Sequence, residues 1–513
     1  MRLSELVQAD EVEETEGNLN RPVAGLAYDS RQVKKDFVFF AVPGARTDGH
    51  EFIAAASRQG AGAVVVERKP AERNDSAWIR VRNVRRAMGT WAARFHGYPS
   101  RRVALVGVTG TNGKTTVTYL LEAIFRAAGM ATGVVGTVNY RYQDRSLPAP
   151  HTTPESIDLQ SLLAEMAGAG VDSVAMEVSS HALELERVRG IDFDAAIFTN
   201  LTRDHLDFHV DMERYFLSKS KFFTDYLPSS AKKKKSAVIH GGDPKGRELL
   251  GKVKALGLQT VSYGHGREWD VHPVEVAGDL DGLRGKIQLG PRAVEFTSPL
   301  IGSANLENIL AAAAAAFSLG VDPEAIARGL ARLATVPGRL EKIENRCGFC
   351  VLVDYAHTPD ALERALRLLK PLAKGKLIAV FGCGGDRDRG KRPLMGEAAA
   401  RLSDVAVLTS DNPRTEDPVK ILEEVEAGAK KAGTKKFSDF NPKSKIANPK
   451  SDRGYFVEPD RRTAIRLSLE LARPGDLVLI AGKGHEDYQI LGAKKIHFDD
   501  REVAREELQK LSS

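Results

Sequence analysis

The sequence predicts an α/β protein of three domains, with a central parallel sheet carrying a P-loop-type phosphate loop and a C-terminal, Rossmann-like open α/β sheet. Three observations carry this. The chain has 513 residues, and at roughly 150 residues per domain that is room for about three cores. Residues 103–108 are an apolar run followed by a glycine-rich turn and a helical pattern, the sign of a strand–loop–helix unit. Four apolar strands recur at 350–353, 377–381, 405–409 and 477–481, separated by helical stretches. The expected domains are 1–99, 100–336 and 337–513. Pro99-Ser-Arg-Arg102 reads as a linker and Thr335-Val-Pro-Gly-Arg339 as a second junction.

Residues 1–98 hold short mixed elements, with strands expected at 37–42 and 63–66. The first residues are acidic and lack an apolar core, so no secretory signal is expected. The longest plainly apolar stretch, 309–317, is far short of the roughly 18 residues that span a bilayer. The expectation is a cytoplasmic protein with no membrane partner. Apolar residues make up 42% of the chain and charged residues 28%, as in ordinary globular proteins.

The net charge is +6, but residues 430–453 hold eight Lys/Arg against two Asp, which matches the whole surplus. That segment also contains Pro442 and Pro449 and no apolar period, so it reads as a solvated loop insertion. No interleaved aromatics offer a stacking platform, so no nucleic-acid partner is expected. Cys347 and Cys350 form a C-x2-C, but no second pair follows at ribbon spacing. Reduced thiols at a strand edge are expected, not a zinc site.

From residue 103 to about 330, strands alternate with helical stretches, the pattern of a parallel sheet covered by helices. Thr109-Gly-Thr-Asn-Gly-Lys-Thr-Thr116 follows the first strand, and Val117, Leu120, Leu121, Ile124 and Phe125 then share one helix face. Gly110 and Gly113 let backbone N–H groups turn inward around phosphate oxygens, with the positive end of the helix behind them. Lys114 reaches terminal phosphates and Thr115 is placed to hold Mg²⁺. The strict loop pattern asks for Gly at 108, where this chain has Val.

Glu177 ends one strand, and Asn200 ends the next before Leu201-Thr-Arg-Asp-His205. A carboxylate and a polar cluster at neighbouring strand ends suit Mg²⁺, which prefers oxygen ligands. A loop histidine such as His205 is more often a surface group. Lys219 reads as one more helix lysine. Every such motif sits at the carboxyl end of a strand, where open α/β sheets bind ligands.

Together, Thr109-Gly-Thr-Asn-Gly-Lys-Thr-Thr116, Glu177-Val-Ser-Ser-His-Ala-Leu and Asn200-Leu-Thr-Arg-Asp-His-Leu-Asp resemble the Mur ligases. Asp354-Tyr-Ala-His-Thr-Pro-Asp360, Gly382-Cys-Gly-Gly-Asp-Arg-Asp388, Asp411-Asn-Pro-Arg414 and Gly482-Lys-Gly-His-Glu-Asp-Tyr488 extend the likeness over nearly the full length. The resemblance implies ATP-dependent addition of an amino acid to a UDP-N-acetylmuramoyl peptide in peptidoglycan synthesis, using ATP and Mg²⁺; a monomer is expected.

Carried over, the resemblance puts Ser30, Ala45, Arg46, Thr47, Thr152, Thr153, Ser179 and Arg187 on the UDP-precursor; Leu185 stands where the family has Gln. Gly110, Thr111, Asn112, Gly113, Lys114, Thr115, Thr116, Asn305 and Arg339 fall on ATP, and Asn308 belongs to the same motif as Asn305. Glu177, His205 and Lys219 join Lys114 as catalytic positions, with Thr115, Glu177, His205 and a carbamylated Lys219 as metal ligands. Arg387, Asp411, Asn412, Pro413, Arg414, Gly482 and Glu486 fall on the incoming amino acid. The Asp411–Arg414 tetrapeptide implies meso-diaminopimelate, with L-lysine as the alternative. A kinase or a plain nucleotide-binding module would share the loop but has no need of the C-terminal motifs.

Overall fold

The computed structural model describes residues 1–44, 47–70, 76–437 and 453–512. They form two compact units. One comprises Met1–Val276, Gly285–Thr297 and Leu306–Arg332; the other Ala277–Arg284, Ser298–Asn305 and Leu333–Ser513.

The first sheet contains β1 (Glu14–Glu16), β2 (Gly25–Ala27), β3 (Phe37–Phe40), β4 (Ala63–Val66) and β5 (Ala77–Arg80), in the order β1-β5-β4-β3-β2. β2 to β5 pair in parallel and β1 joins antiparallel. Val64, Val65 and Val66 are fully buried, as an apolar run between two covered faces must be. The Val84–Phe95 helix closes one face, with Trp91 edge-on to Phe40 at 5.7 Å. The expected linker at 99–102 is instead a packed turn. Pro99 and Ser100 are buried, Ser100 Oγ accepts from Asp192 N (3.0 Å), and Arg101 pairs with Asp192.

The second sheet runs through β6 (Ala104–Thr109), β7 (Thr132–Val135), β8 (Asn139–Tyr142), β9 (Arg145–Pro148), β10 (Ser173–Glu177), β11 (Ala195–Phe198), β12 (Ser236–His240), β13 (Gln259–Tyr263), β14 (Val271–Asp279), β15 (Gly282–Leu289) and β16 (Arg292–Ser298). Its order is β16-β15-β14-β13-β12-β11-β6-β10-β7-β8-β9. The middle strands are parallel, and β8 and β9 add antiparallel at one edge. The alternation expected to about 330 is broken twice: β7, β8 and β9 follow one another with no helix between them, and so do β14, β15 and β16. In β16, buried residues alternate with exposed ones, so it carries only half the apolar residues of a fully buried strand.

The third sheet holds β17 (Glu341–Lys342), β18 (Cys350–Asp354), β19 (Leu377–Cys383), β20 (Val405–Ser410), β21 (Lys435–Lys436), β22 (Gly454–Val457) and β23 (Leu477–Ala481). Its order is β17-β18-β23-β19-β20-β22-β21, parallel except for β17. The four apolar strands expected from the sequence are its four central members. Separate apolar clusters cover its two faces. A hairpin of β24 (Tyr488–Leu491) and β25 (Lys494–His497) follows.

Of the basic segment, Lys430 and Lys431 end a helix and Lys435 and Lys436 form β21; residues 438–452 lie outside the described residues. None of the three cysteines is in a disulfide, and burial pushes the Cys350 thiol up to about 11. Among the described residues, no helix is long and apolar enough to cross a membrane.

Candidate active site

The phosphate loop leaves β6 two residues after the position where the strict pattern has its first glycine. Val108 is still inside the strand, fully buried, and in register with Glu177 and Ile197. An interior strand position needs no glycine, which accounts for the valine. The turn begins at Gly110 (φ 145°) and ends at Gly113 (φ 88°), which caps the Lys114–Ala127 helix. A Cβ at Gly110 would strike the Thr199 hydroxyl, and one at Gly113 would strike Asn308 Oδ1. The helix then buries Val117, Leu120, Leu121, Ile124 and Phe125, as its spacing implied.

Two lysines converge on one main-chain atom. Lys114 Nζ donates to Gly110 O and Thr111 O, each at 2.9 Å. Lys219 Nζ, from the Met212–Lys221 helix, donates to the same Gly110 O at 2.9 Å. Lys219 is 1% exposed and lies 4.5 Å from the Tyr215 ring centre. Burial, then the charge of Lys114, hold its ammonium well below the ordinary lysine range. The bland reading of Lys219 is therefore corrected: the side chain is buried against the loop. Its sequence signal was a lysine between two serines in a stretch rich in aromatics, Tyr215 to Phe223.

Thr115 Oγ1 donates to Glu177 Oε1 at 3.0 Å, and Glu177 is 1% exposed at the end of β10. The same carboxylate accepts Thr137 N (2.9 Å) and Thr137 Oγ1 (3.0 Å), and Thr137 meets the Thr152 hydroxyl at 3.1 Å. Thr116 is buried beneath the loop. Asn200 braces it from β11's end, accepting Thr111 N at its carbonyl (2.9 Å) and Asn112 N at Oδ1 (3.0 Å). His205 has φ 53°, a ring 5.0 Å from that of His181, and Nε2 3.5 Å from Asp204. Downstream, Val210 has φ 69°, and Asp211 N donates back to His209 O at 2.8 Å. A β-branched residue in that region is strained.

Thr153 Oγ1 donates to Glu177 O (2.9 Å) and accepts Ser179 N (3.1 Å), and Ser179 Oγ caps the next helix by accepting Ala182 N. Arg187 Nη1 donates to Thr153 O at 3.2 Å. Its Nε lies 2.9 Å from Glu155 Oε1, while Arg85 Nη1 reaches Glu155 Oε2 at 3.0 Å. Leu185 enters through its carbonyl, 3.5 Å from Arg85. Ser30 opens a short turn capped by Asp29, and Tyr28 donates to Asp158 Oδ2 at 2.7 Å. Thr47 is exposed; Ala45 and Arg46 lie outside the described residues. Asn305 donates to Ile301 O at 2.9 Å.

In the C-terminal unit, Arg339 lies 4.7 Å from the Tyr355 ring, which also meets His357 (4.5 Å) and His485 (5.0 Å). Asp411 and Asn412 are buried at the end of β20, and Pro413 is buried after them. Arg414 has φ 52°, and its Nη1 donates to Gly385 O at 2.6 Å. Asn412 Nδ2 donates to Glu486 Oε2 at 3.0 Å. Burial and Asp411 push the Glu486 carboxyl above the usual range. Gly482 (φ 116°) is buried and Arg387 is exposed. Lys483, which the motif reading passed over, is fully buried among Asp411, Asn412 and Glu486. Its sequence signal was a lysine between two glycines after an apolar strand. Among the described residues, no three His, Cys, Asp or Glu side chains are grouped to hold a metal by themselves.

Three family profiles match in chain order. They are the Mur ligase family catalytic domain at residues 22–96, the Mur ligase middle domain at 108–316, and the Mur ligase glutamate ligase domain at 338–484. A UDP-N-acetylmuramoyl-L-alanyl-D-glutamate–2,6-diaminopimelate ligase of Geobacter metallireducens is 47% identical over 514 aligned residues, covering 100% of this chain and 99% of its own. The protein of the same name from Geobacter sulfurreducens is 46% identical, covering 98% of each chain. A solved structure of a ligase of that name superposes with a TM-score of 0.71 at 32% identity, covering 100% of this chain and 99% of the other. The chain belongs to the Mur ligase family.

Proposed function

We propose that this chain is the ATP-dependent ligase that adds meso-diaminopimelate to UDP-N-acetylmuramoyl-L-alanyl-D-glutamate in peptidoglycan synthesis. The observation that carries it is that one chain holds both a phosphate loop and the largely buried Asp411–Arg414 and Gly482–Glu486 cluster. A kinase or a plain nucleotide-binding module has no use for the second. The proposed domains are 1–99 for the UDP-precursor, 100–336 for ATP and 337–513 for the amino acid, in a cytoplasmic monomer.

The D-glutamate carboxylate is a poor electrophile. Phosphoryl transfer from ATP makes it an acyl phosphate, and the amine of the amino acid then displaces phosphate to form the amide. Such a transfer needs alignment and charge neutralisation more than covalent help. Lys114 and Arg339 supply fixed positive charge, while Gly110 to Thr116 and Asn305 hold the nucleotide. Thr115, Glu177, His205 and a carbamylated Lys219 would hold Mg²⁺, which when bound neutralises phosphate charge. Two members of this set support the reading: Thr115 and Glu177 are hard oxygen groups 3.0 Å apart. The depressed ammonium of Lys219 supports carbamylation, since the neutral amine is the form that bonds to CO₂ carbon, losing a proton.

Ser30, Ala45, Arg46, Thr47, Thr152, Thr153, Ser179 and Arg187 would take the precursor. Arg414 and Arg387 would take the carboxylates of the amino acid, with Asp411, Asn412, Pro413, Gly482 and Glu486 completing its site. Arg414 is a planar fork suited to bidentate carboxylate binding. The test is mass spectrometry of product formed from ATP, UDP-muramoyl dipeptide and a panel of amino acids. Amide product with meso-diaminopimelate far ahead of L-lysine is expected. ADP release without amide product, or equal kcat/KM for the two, overturns the reading.

A further inference from the structure

A lysine with no exposed surface is costly unless its charge is matched. Lys483 lies between Gly482 (φ 116°) and Gly484 (φ 53°), and this glycine–lysine–glycine turn aims the side chain inward. Gly484 must stay small, because a Cβ there would sit 2.6 Å from Tyr355 Cβ. Lys483 is 0% exposed, and its Nζ meets Glu486 Oε2 at 3.4 Å, Asn412 Oδ1 at 3.4 Å and Asp411 Oδ1 at 3.5 Å. All three contacts are long, so the ammonium is shared among three acceptors.

The acceptors are themselves fixed. Ile490 N donates to Asn412 Oδ1 at 3.0 Å, which turns Asn412 Nδ2 toward Glu486 Oε2. Gln489 Nε2 donates to Asp411 O at 2.6 Å. Glu486 Oε2 therefore holds two donors from the protein, and its remaining oxygen is the one left for a ligand ammonium.

We infer that Lys483 is a positioning residue that sets the charge of the amino-acid pocket, and so makes it select an ammonium accompanied by a carboxylate over an ammonium alone. With Lys483, the Asp411–Glu486 pair presents one net negative charge, enough for one ammonium, since the buried Arg461 beside it is matched by Asp500 at 2.6 Å. Without it the pair presents two. A bare side-chain ammonium is then favoured, and a ligand carrying an extra carboxylate is penalised. Arg414 contacts that carboxylate in the proposed site; Lys483 keeps the surrounding field from repelling it.

This inference rests on the meso-diaminopimelate reading. The experiment measures kcat/KM for meso-diaminopimelate and for L-lysine, and KM for ATP, in the unmodified enzyme, Lys483→Met and Asp411→Asn. Lys483→Met is expected to lower the ratio of meso-diaminopimelate to L-lysine by at least about tenfold, with KM for ATP unchanged. Asp411→Asn removes a negative charge and is expected to raise the same ratio. A merely structural lysine would harm both amino acids equally and would give no opposite sign. An unchanged ratio in a folded Lys483→Met overturns the inference, and so does a fallen ratio in Asp411→Asn, which stands alone if Lys483→Met does not fold. An unmodified enzyme with no preference removes the underlying reading instead.

Discussion

The phosphate loop and the Asp411–Glu486 cluster solve the problem of holding charged ligands in opposite ways. Around Gly110 the acceptors are main-chain carbonyls, and two lysines are tethered to them. Around Asn412 the acceptors of Lys483 are side chains, and two of them, Asn412 and Glu486, are oriented by a strand N–H or by another side chain. A site made of backbone is fixed by the path of the chain and tolerates few residues at its turns. A site made of side chains is tunable, one substitution at a time. On the proposed function, nucleotide binding falls to the first, and discrimination between similar amino acids to the second.

That contrast breaks if a backbone-held lysine proves dispensable. Lys114→Ala should cost at least ~3 kcal/mol of barrier, over ~100-fold in kcat, with the melting temperature preserved. Turnover within tenfold of normal would count decisively against its role. Lys219→Ala should lose roughly 100-fold, with partial recovery on adding small carboxylates, while Lys219→Arg stays inactive because it restores the wrong charge. Full activity with an unmodified amine in an experimental map would end the carbamylation proposal.

In the side-chain-built site, Arg414→Ala should raise KM for meso-diaminopimelate by roughly 3 kcal/mol, about 100-fold, and leave KM for ATP nearly alone. A parallel rise in both would merge the two regions into one. A smaller effect sharpens the contrast at the backbone. Val210 holds φ 69° on an exposed loop beside His205. Val210→Gly should stabilise the folded chain by about 1 kcal/mol in urea unfolding, since glycine adopts that conformation without strain. Destabilisation would mean the valine side chain matters more than its backbone.

The smallest effect is one of pH. Burial, then the charges of Arg339 and Arg501, lower His485 from 6.5 to about 3. As pH falls from about 6.5 toward about 3, the unfolded chain takes up a proton that the native imidazole refuses, so this residue lowers stability across that window. His485→Gln should therefore show a shallower acid limb of stability than the parent. An unchanged limb would place His485 in solvent.

Most of the architecture was legible because it rests on local periodicity. The strand–loop–helix unit at 103–125 and the four central C-terminal strands are continuous apolar runs that two covered faces demand. β14 to β16 were not legible, because a strand such as β16 alternates buried and exposed residues and offers too few apolar residues to stand out from loop. The site divides similarly. Lys114 and Thr115 follow from spacing alone. Lys219 and Lys483 did not, because a lysine's burial is decided by chain segments about 110 and 70 residues away, at Gly110 and Asp411. Glu155, which joins Arg85 to Arg187, was missed for the same reason.

The shared acceptor at Gly110 also bears on drug resistance. Its carbonyl is a main-chain atom, so no exchange of side chain removes it. Exchange of the glycine itself is closed by φ 145° and by the Thr199 hydroxyl. An inhibitor that donates a hydrogen bond to that oxygen in place of a lysine would press on an acceptor that substitution at its own position does not remove. One anchored on Arg414 or Asn412 would face a surface that a single base change can redraw.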